Sequence, residues 1–539
     1  MADYRNLQKI SVGKISCRKD DKMGAKIVKH SEIEAVIQSV QNYKEKVNEV
    51  LNEKEELKNI KPLLGGMGVY EQREKGTFML RVRIPAGVCE VKWLRSIYEI
   101  GKEVGVRRFH LTSRQDIQYH GLTLAQTIEV KEALLKEGLV TKGGGGNSPR
   151  NIACSPLSGV DSKDIFDVTP YALASCDFIM KIIDSFHLPR KFKIAFASSK
   201  EDTSNTTVTD LGFMAMEEDG HKYFKVFVGG GLGRNPKPGI VFEEKLELQE
   251  ILYVIQGLKE LFEDYGDYEN RNKARIRYIV ERLGEEAFKA KLHDYIDKVK
   301  ARGINEPIIN EITYNKKGTY LSINNERLVS QKQEGLYGVY VHPFGGYLSV
   351  EELGRIVEMA EAVEDVKIRL TMDQGFYMLN LNGEEAERIL AKTETLGLTD
   401  IMSKLVACTG ANTCQIGLAA SEELAGSIKK RFDKVPKEVQ VWLPAIHISG
   451  CQSSCSAHQI AVLGFCGSKK RINDEIKTVF TLSINGSKGQ AGAKLGEVVG
   501  DLLMEDIPEF LEKLAIGLKK GEIELEKEVL KKQFGPKIM

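Results

Sequence analysis

The 539-residue chain has no run of 18 apolar residues, so no membrane-spanning helix is expected. Its first residues, MADYRNLQKISVGK, lack an apolar signal core. An excess of one charge is missing too: 77 Lys and Arg stand against 76 Asp and Glu, a net of +1. Bulk electrostatics therefore gives no case for nucleic acid or a membrane surface as partner. The nine cysteines are few for this length and odd in number. Both facts argue against a disulfide framework and for a reducing, cytoplasmic compartment. The single run that looks like a nucleotide loop, VGGGLG (228–233), is not G-x-G-x-x-G, and RNPKPGI after it is not helical. A Rossmann site is rejected on that ground. Nothing else offers a flavin or nicotinamide site, so electrons are expected from another protein. The remaining composition, 42% hydrophobic and 28% charged, is that of an ordinary globular chain long enough for two to four domains.

What is present is concentrated first in four cysteines. Cys408 and Cys414 lie in CTGANTC, and Cys451 and Cys455 in GCQSSC, giving C-x5-C, a gap of 36 residues, then C-x3-C. Four thiolates suit an iron–sulfur cube, one per iron. They also suit a structural zinc, although zinc knuckles are usually tighter. The spacing alone leaves both open.

The chain also repeats itself. GTFMLRVRIPAGV (76–88) resembles GLYGVYVHPFGGY (335–347), each an alternating apolar run closed by Pro and Gly, which predicts a strand entering a turn. Helical patterns follow both. FHLTSRQDIQYHGL (109–122) then matches IRLTMDQGFYMLNL (368–381), at an offset of 258 to 259 residues. A near-constant offset over about 60 residues reads as duplication. RNIAC (150–154) laid on KLVAC (404–408) makes Cys154 the expected counterpart of Cys408. The second copy holds the cysteines and the first the basic residues: Arg114, Gln118 and His120 align with Asp373, Tyr377 and Leu379. Halves that diverged in this way suggest one shared site.

The expected organisation is an N-terminal helical extension (1–62), a first half-repeat (63–142), a segment carrying the glycine tract and LPRKFK (143–331), a second half-repeat (332–402) and a segment carrying the four cysteines and ending in helices (403–539). Residues 243–265 read as one amphipathic helix with Leu248, Ile251, Ile255, Leu258 and Phe262 on a core-facing stripe.

Basic residues recur in short motifs. Arg81 and Arg83 alternate on a predicted strand and share a face. Gln118 and His120 do the same in HLTSRQDIQYHG, which also carries Arg114. The tract GGGGNSPRN (143–151) runs into Arg150, and LPRKFK (188–193) supplies Arg190, Lys191 and Lys193. Each piece alone has an ordinary reading as turn or solvated face.

In order, these motifs resemble the sirohaem- and [4Fe–4S]-dependent sulfite and nitrite reductases, over roughly residues 65–470. The resemblance implies an α+β fold of two ferredoxin-like half-repeats about a pseudo-twofold axis, with two mixed cofactor-binding domains. It implies that Cys408, Cys414, Cys451 and Cys455 hold the cluster and that Cys455 bridges to the sirohaem iron. It assigns Arg83, Arg114, Gln118, His120, Arg190 and the amides of Gly229, Gly230 and Gly231 to sirohaem. Arg81, Arg150, Lys191 and Lys193 would surround a small oxyanion. The implied reaction is six-electron reduction of sulfite to sulfide, or of nitrite to ammonia, with a protein donor such as ferredoxin. The two lysines favour sulfite, since a dianion gains more from an extra cation. Gln452, Ser453 and Ser456 depart from the family's usual Pro, Asn and Gly. A non-catalytic protein with a four-cysteine zinc is the reading from a different class.

Overall fold

The computed structural model describes residues 33–304, 309–397, 401–535 and 537–539. Twenty strands among them fall into four groups of five. The first half-repeat gives β1 (Val69–Glu71), β2 (Phe78–Val82), β3 (Val88–Cys89), β4 (Arg108–Leu111) and β5 (Ile117–Leu122). The first mixed domain gives β6 (Ala153–Cys154), β7 (Ile194–Ala197), β8 (Leu211–Glu218), β9 (His221–Val228) and β10 (Ile240–Leu246). The second half-repeat gives β11 (Leu328–Ser330), β12 (Tyr337–Val341), β13 (Tyr347–Leu348), β14 (Lys367–Leu370) and β15 (Phe376–Leu381). The last domain gives β16 (Leu405–Ala407), β17 (Ile446–Ser449), β18 (Leu463–Ile472), β19 (Glu475–Ile484) and β20 (Glu497–Leu503).

The half-repeats exchange edge strands. One sheet runs β1-β2-β5-β4-β13 and the other β11-β12-β15-β14-β3. Tyr347 pairs with His110, and Val88 with Arg369, so each copy completes its partner's sheet. Alternation explains the layering: Phe78, Leu80 and Val82 point into the core, while Arg81 points to the opposite face. Helices Val91–Glu103 and Val350–Glu361 cover the apolar faces and meet each other, where Gly354 leaves room for the Tyr98 ring. One hydrophobic core therefore spans both half-repeats. Capping boxes start equivalent helices in the two copies, Thr123 with Gln126 and Asn382 with Glu385.

The mixed domains repeat as well. Each has three parallel strands followed by two antiparallel ones, β6 to β10 and β16 to β20. Register corrects one sequence alignment. Cys154 pairs with Phe196 and Ala407 with Ile448, while Ser155 N and Cys408 N donate to those same two carbonyls. Ser198 N donates to Ser155 Oγ (3.1 Å), as Gly450 N does to Cys408 Sγ (3.1 Å). Ser155, not Cys154, stands where Cys408 stands. Motif matching cannot see this one-residue slip, because both segments end on Cys.

The helix expected over 243–265 covers only Ile251–Tyr265, and residues 243–246 belong to β10. Leu246 fits either period, and pairing with Phe224 of β9 decides for strand, while Leu248 opens a short 3₁₀ turn, Leu248–Glu250, ahead of the helix. The N-terminal extension shows helices Glu34–Leu51 and Leu57–Gly66, and its first 32 residues lie outside those described. No helix among the described residues is long and apolar enough to cross a membrane.

Candidate active site

The basic motifs of the first half converge. Arg81 leaves β2 on the side away from the core and pairs in register with Gln118 of β5. Arg150 follows the glycine tract, its N donating to Phe192 O (2.8 Å) and its Nη2 to Gly146 O (2.8 Å). Lys191 and Lys193 flank the fully buried Phe192, so alternation turns both to one side. Arg114, in the turn before β5, reaches Ile194 O (2.9 Å), and neighbouring Ser113 Oγ donates to Cys455 O (2.6 Å). That bond ties the first half's basic turn to the second half's cysteine loop.

Arg83 is held by the protein's own backbone, with its Nε left without an acceptor. Its side chain is fully buried and donates to Pro149 O (3.2 Å) and Arg150 O (3.1 Å). It braces the loop that carries Arg150. Gly143, at φ +79°, makes room, since a Cβ there would lie 2.5 Å from Arg83 Nη1.

The three glycines expected to offer amides also divide. Gly229 N donates to Asp210 O (3.0 Å) and Gly231 N to Lys237 O (2.9 Å), so both serve the protein's own backbone rather than a ligand. Of the expected trio, the Gly230 N–H is the one left for an anion. Gly230 sits hard against Thr209, where a Cβ would lie 2.6 Å from the Thr209 carbonyl oxygen. Close backbone packing is thus the reason for glycine at 230, and motif reading could not separate it from its neighbours.

Crowded cations set the electrostatics. Burial, then Arg275 and Arg150, pushes Lys191 down to about 7. Burial, then Arg114 and Lys191, drives Lys193 well below the usual lysine range. Arg114 and Arg150 are each pushed down to about 10, chiefly by burial. Arg190 is lowered as well, by burial and then by Arg271 and Arg275. Burial would raise the Tyr70 phenol, but Arg150, the Gly146 N–H (2.8 Å) and Arg81 together lower it. Cys455 is solvent-exposed although protein encloses it on most sides, as expected of a group lining an internal crevice. Lys191 and Cys455 feel each other's charge.

Sequence reasoning missed Arg275 and Arg277. Both are buried at the start of helix Ile276–Leu283, beneath the 229–233 glycine loop. A Cβ on Gly231 would lie 2.5 Å from Arg277 Nη1. Arg275 forks onto both oxygens of fully buried Asp210, and Oδ2 also takes Lys193 N (2.9 Å). Arg277 donates to Arg234 O (3.0 Å), while its Nε and Nη1 lack acceptors. The signal was present in KARIRYIVERLG, where two arginines alternate with isoleucine, but it read as a basic helical segment. Arg114 Nε and Arg150 Nη1 are also buried without acceptors. A cage of donors with so few acceptors fits a polycarboxylate macrocycle beside a small oxyanion, because buried guanidinium is costly until paired.

The four cysteines converge on the same crevice. Gly450 O accepts from Leu418 N and Ala419 N (2.9 Å each), stitching the two cysteine loops together. Ser421 Oγ and Gly450 N each lie 3.1 Å from Cys408 Sγ. Arg73 Nη2 clamps the first loop through Cys414 O (3.2 Å) and Gly417 O (2.8 Å). Burial, with Cys408, Cys451 and Cys414 nearby, raises the Cys455 thiol to about 12. A cationic iron–sulfur core would offset that cost of ionising it. Among the described residues no three His, Cys, Asp or Glu side chains close on a point as a single ion requires. Cys466 of β18 is a fifth cysteine within electrostatic reach of Cys451 and Cys408.

The unusual loop residues divide into two kinds. Gln452 and Ser453 are exposed. Ser456 is buried: its Oγ bonds Ser449 Oγ (2.6 Å) and its O accepts from His447 Nδ1 (2.5 Å). Ser456→Ala is expected to cost about 1 kcal/mol of stability, read as a lower melting temperature at unchanged iron content.

Comparison with known proteins agrees with this arrangement. The family described as the nitrite and sulphite reductase 4Fe-4S domain matches residues 145–300. The nitrite/sulfite reductase ferredoxin-like half domain matches twice, at 70–137 and 329–396. A ferredoxin–nitrite reductase of Synechococcus elongatus is 27% identical over 457 residues, covering 82% of this chain and 86% of that protein. A sulfite reductase [ferredoxin] of Mycolicibacterium paratuberculosis is 27% identical over 485 residues, covering 83% of each. The structure of Mycobacterium tuberculosis NirA superposes with a TM-score of 0.77 at 21% identity, over 93% of this chain and 96% of that one, and so shares the fold. With both family descriptions together matching more than half its length, the chain belongs to the sirohaem- and [4Fe–4S]-dependent nitrite and sulfite reductases.

Proposed function

We propose that this chain reduces sulfite to sulfide in a six-electron reaction, with electrons from a ferredoxin-type protein donor. The observation that carries the substrate choice is the Lys191–Lys193 pair, two amino groups turned to one side of Phe192 and both pushed toward their neutral forms by burial and by the neighbouring cations. An anion brought among them restores their charge, and a dianion restores more than a monoanion does. The relatives carry both names at equal identity, so the preference rests on this pair alone.

When bound, sirohaem and the cluster supply the electron-transfer chemistry. Cys408, Cys414, Cys451 and Cys455 would hold the cluster, with Cys455 the one beside Lys191 and the basic turn. Arg114, Arg190, Arg277 and the Gly230 N–H would hold the carboxylated ring, with Arg83 acting through the Arg150 loop and His120, both of whose ring nitrogens are taken by Gln72 and Gln118, acting through Gln118. Arg81, Arg150, Lys191 and Lys193 bind the oxyanion, orient it and counter the charge that accumulates during reduction. Lys191, poised near neutrality, and Tyr70, held low by Arg150, are suited to return protons to the substrate oxygens.

The test is kcat/KM for sulfite and for nitrite on one preparation, with reduced viologen as donor. A higher value for sulfite supports the two-lysine argument. A clear win for nitrite overturns the substrate choice, and failure to reduce either overturns the reading of the site.

A further inference from the structure

The two half-repeats meet at a ring of amides and imidazoles whose hydrogen bonds cannot all be satisfied. Gln374 Oε1 accepts from Ala407 N (3.1 Å), so its NH2 faces His110 Nε2 (3.0 Å). That nitrogen must be the acceptor, and a neutral ring then carries its proton on Nδ1. Gln72 Oε1 accepts from Gly121 N (2.8 Å), so its NH2 faces His120 Nδ1 (3.0 Å). His120 therefore carries its proton on Nε2. Both protonated nitrogens converge on one end of the Gln118 carboxamide, at 2.8 and 3.2 Å.

Gln118 must meet them with its oxygen. Its NH2 then lies 2.7 Å from Arg81 Nη2 and 3.1 Å from Nε, donor against donor. The opposite orientation accepts from Arg81 but presents NH2 to both imidazoles. Each ring would then need its proton on the far nitrogen, against the NH2 of Gln374 or Gln72. Turning those amides as well would set NH2 against Ala407 N and Gly121 N. Burial keeps both rings neutral, His110 at about 4 and His120 well below the usual range, helped by Arg108 and Arg81. Asp116 Oδ2 lies 3.9 Å from Arg81 Nε, beyond hydrogen-bond reach, so the conflict ends only when a closer acceptor takes the Arg81 donors.

We propose that Gln374 and Gln72 are positioning residues. Through the tautomers of His110 and His120 they force the Gln118 NH2 outward beside Arg81, and this donor pair takes an oxyanion oxygen. The inference rests on the anion-reducing site described above. Duplication supports it. Gln115 is the counterpart of Gln374, and both have positive φ (58° and 71°). Gln115 Oε1 takes Cys154 N (2.9 Å), as Gln374 takes Ala407 N, but its NH2 goes to Cys154 O and Leu370 O (2.8 and 2.7 Å). Only the second copy turns this NH2 onto an imidazole.

Two variants of the holoenzyme test this. Gln374→Glu keeps the acceptor for Ala407 N but offers His110 only acceptors, so the proton moves to Nε2; the closer His110 Nδ1 contact (2.8 Å) and the two Arg81 donors then outweigh the longer His120 contact (3.2 Å), and Gln118 turns its oxygen to Arg81. Its melting temperature is expected to match the wild type, with KM for sulfite and nitrite raised about tenfold, the worth of a charge-assisted bond. Gln374→Met strands Ala407 N but leaves His110 its acceptor nitrogen. It is expected to melt lower and change KM less. If sirohaem per chain falls in Gln374→Glu while KM holds, the oxygen belongs to a macrocycle carboxylate and the positioning role stands. The proposal is overturned if Gln374→Glu matches the wild type in KM and sirohaem content while Gln374→Met is the worse variant, the pattern of a purely structural residue. Wild-type protein that reduces neither anion would instead overturn the functional reading.

Discussion

Cys455→Ser is expected to abolish reduction of sulfite and nitrite alike. An alkoxide is a hard ligand and a poor substitute for thiolate on iron. Cys455 is also the cysteine that faces the cation cage: it and Lys191 shift each other, and its carbonyl takes the Ser113 hydroxyl from the other half. Loss of this sulfur should exceed the roughly 100-fold effect typical of an outer-shell change. Iron and sirohaem per chain and viologen-linked kcat would be measured together. Cys466→Ser is the control, because Cys466 lies near the cluster cysteines outside both of their loops. Full activity in Cys455→Ser, or loss of iron in Cys466→Ser but not in Cys455→Ser, would refute the ligand assignment.

Lys191→Ala is expected to lower kcat by about 10²- to 10³-fold, as removal of a preorganised charge-stabilising donor does. The pH dependence is more diagnostic. Burial, Arg275 and Arg150 depress this lysine to about 7. A lysine with lowered pKa is charged below that value and neutral above it, so attraction for an anion is full in mild acid and is lost as pH rises through 7. KM should therefore climb above pH 7 in the wild type. Nitrite, which does not titrate in this range, is the cleaner probe. Lys191→Arg keeps its charge throughout and should flatten the profile. A profile that still climbs in Lys191→Arg would assign the ionising group elsewhere.

Part of the site was readable from the chain, because covalent spacing constrains it. Alternation put Lys191 and Lys193 on one side of Phe192, and Gln118 with His120 on one face. Alternation also put Arg81 and Arg83 together, but it could not say that one would meet the crevice and the other the carbonyls of Pro149 and Arg150. That depends on where the glycine tract lies, which packing against Gly65, Gly66 and Gly68 decides. The Cys154–Ser155 slip has a similar cause. Letters aligned one way, and the hydrogen bonds of β6 and β16 chose the other.

The sequence by itself determined the duplication, the two cysteine loops, the split of cysteines and cations between copies, and the family. These are properties of order and spacing along one chain, and they survive without knowing any contact. Only the tertiary structure decided the exchange of β3 and β13, the place of Arg275 and Arg277, and the ring joining Gln72, His120, Gln118, His110 and Gln374. Each brings together groups far apart in sequence. Which nitrogen of His110 carries its proton depends on Ala407, nearly 300 residues away, because a buried donor must find its acceptor wherever the fold has put one.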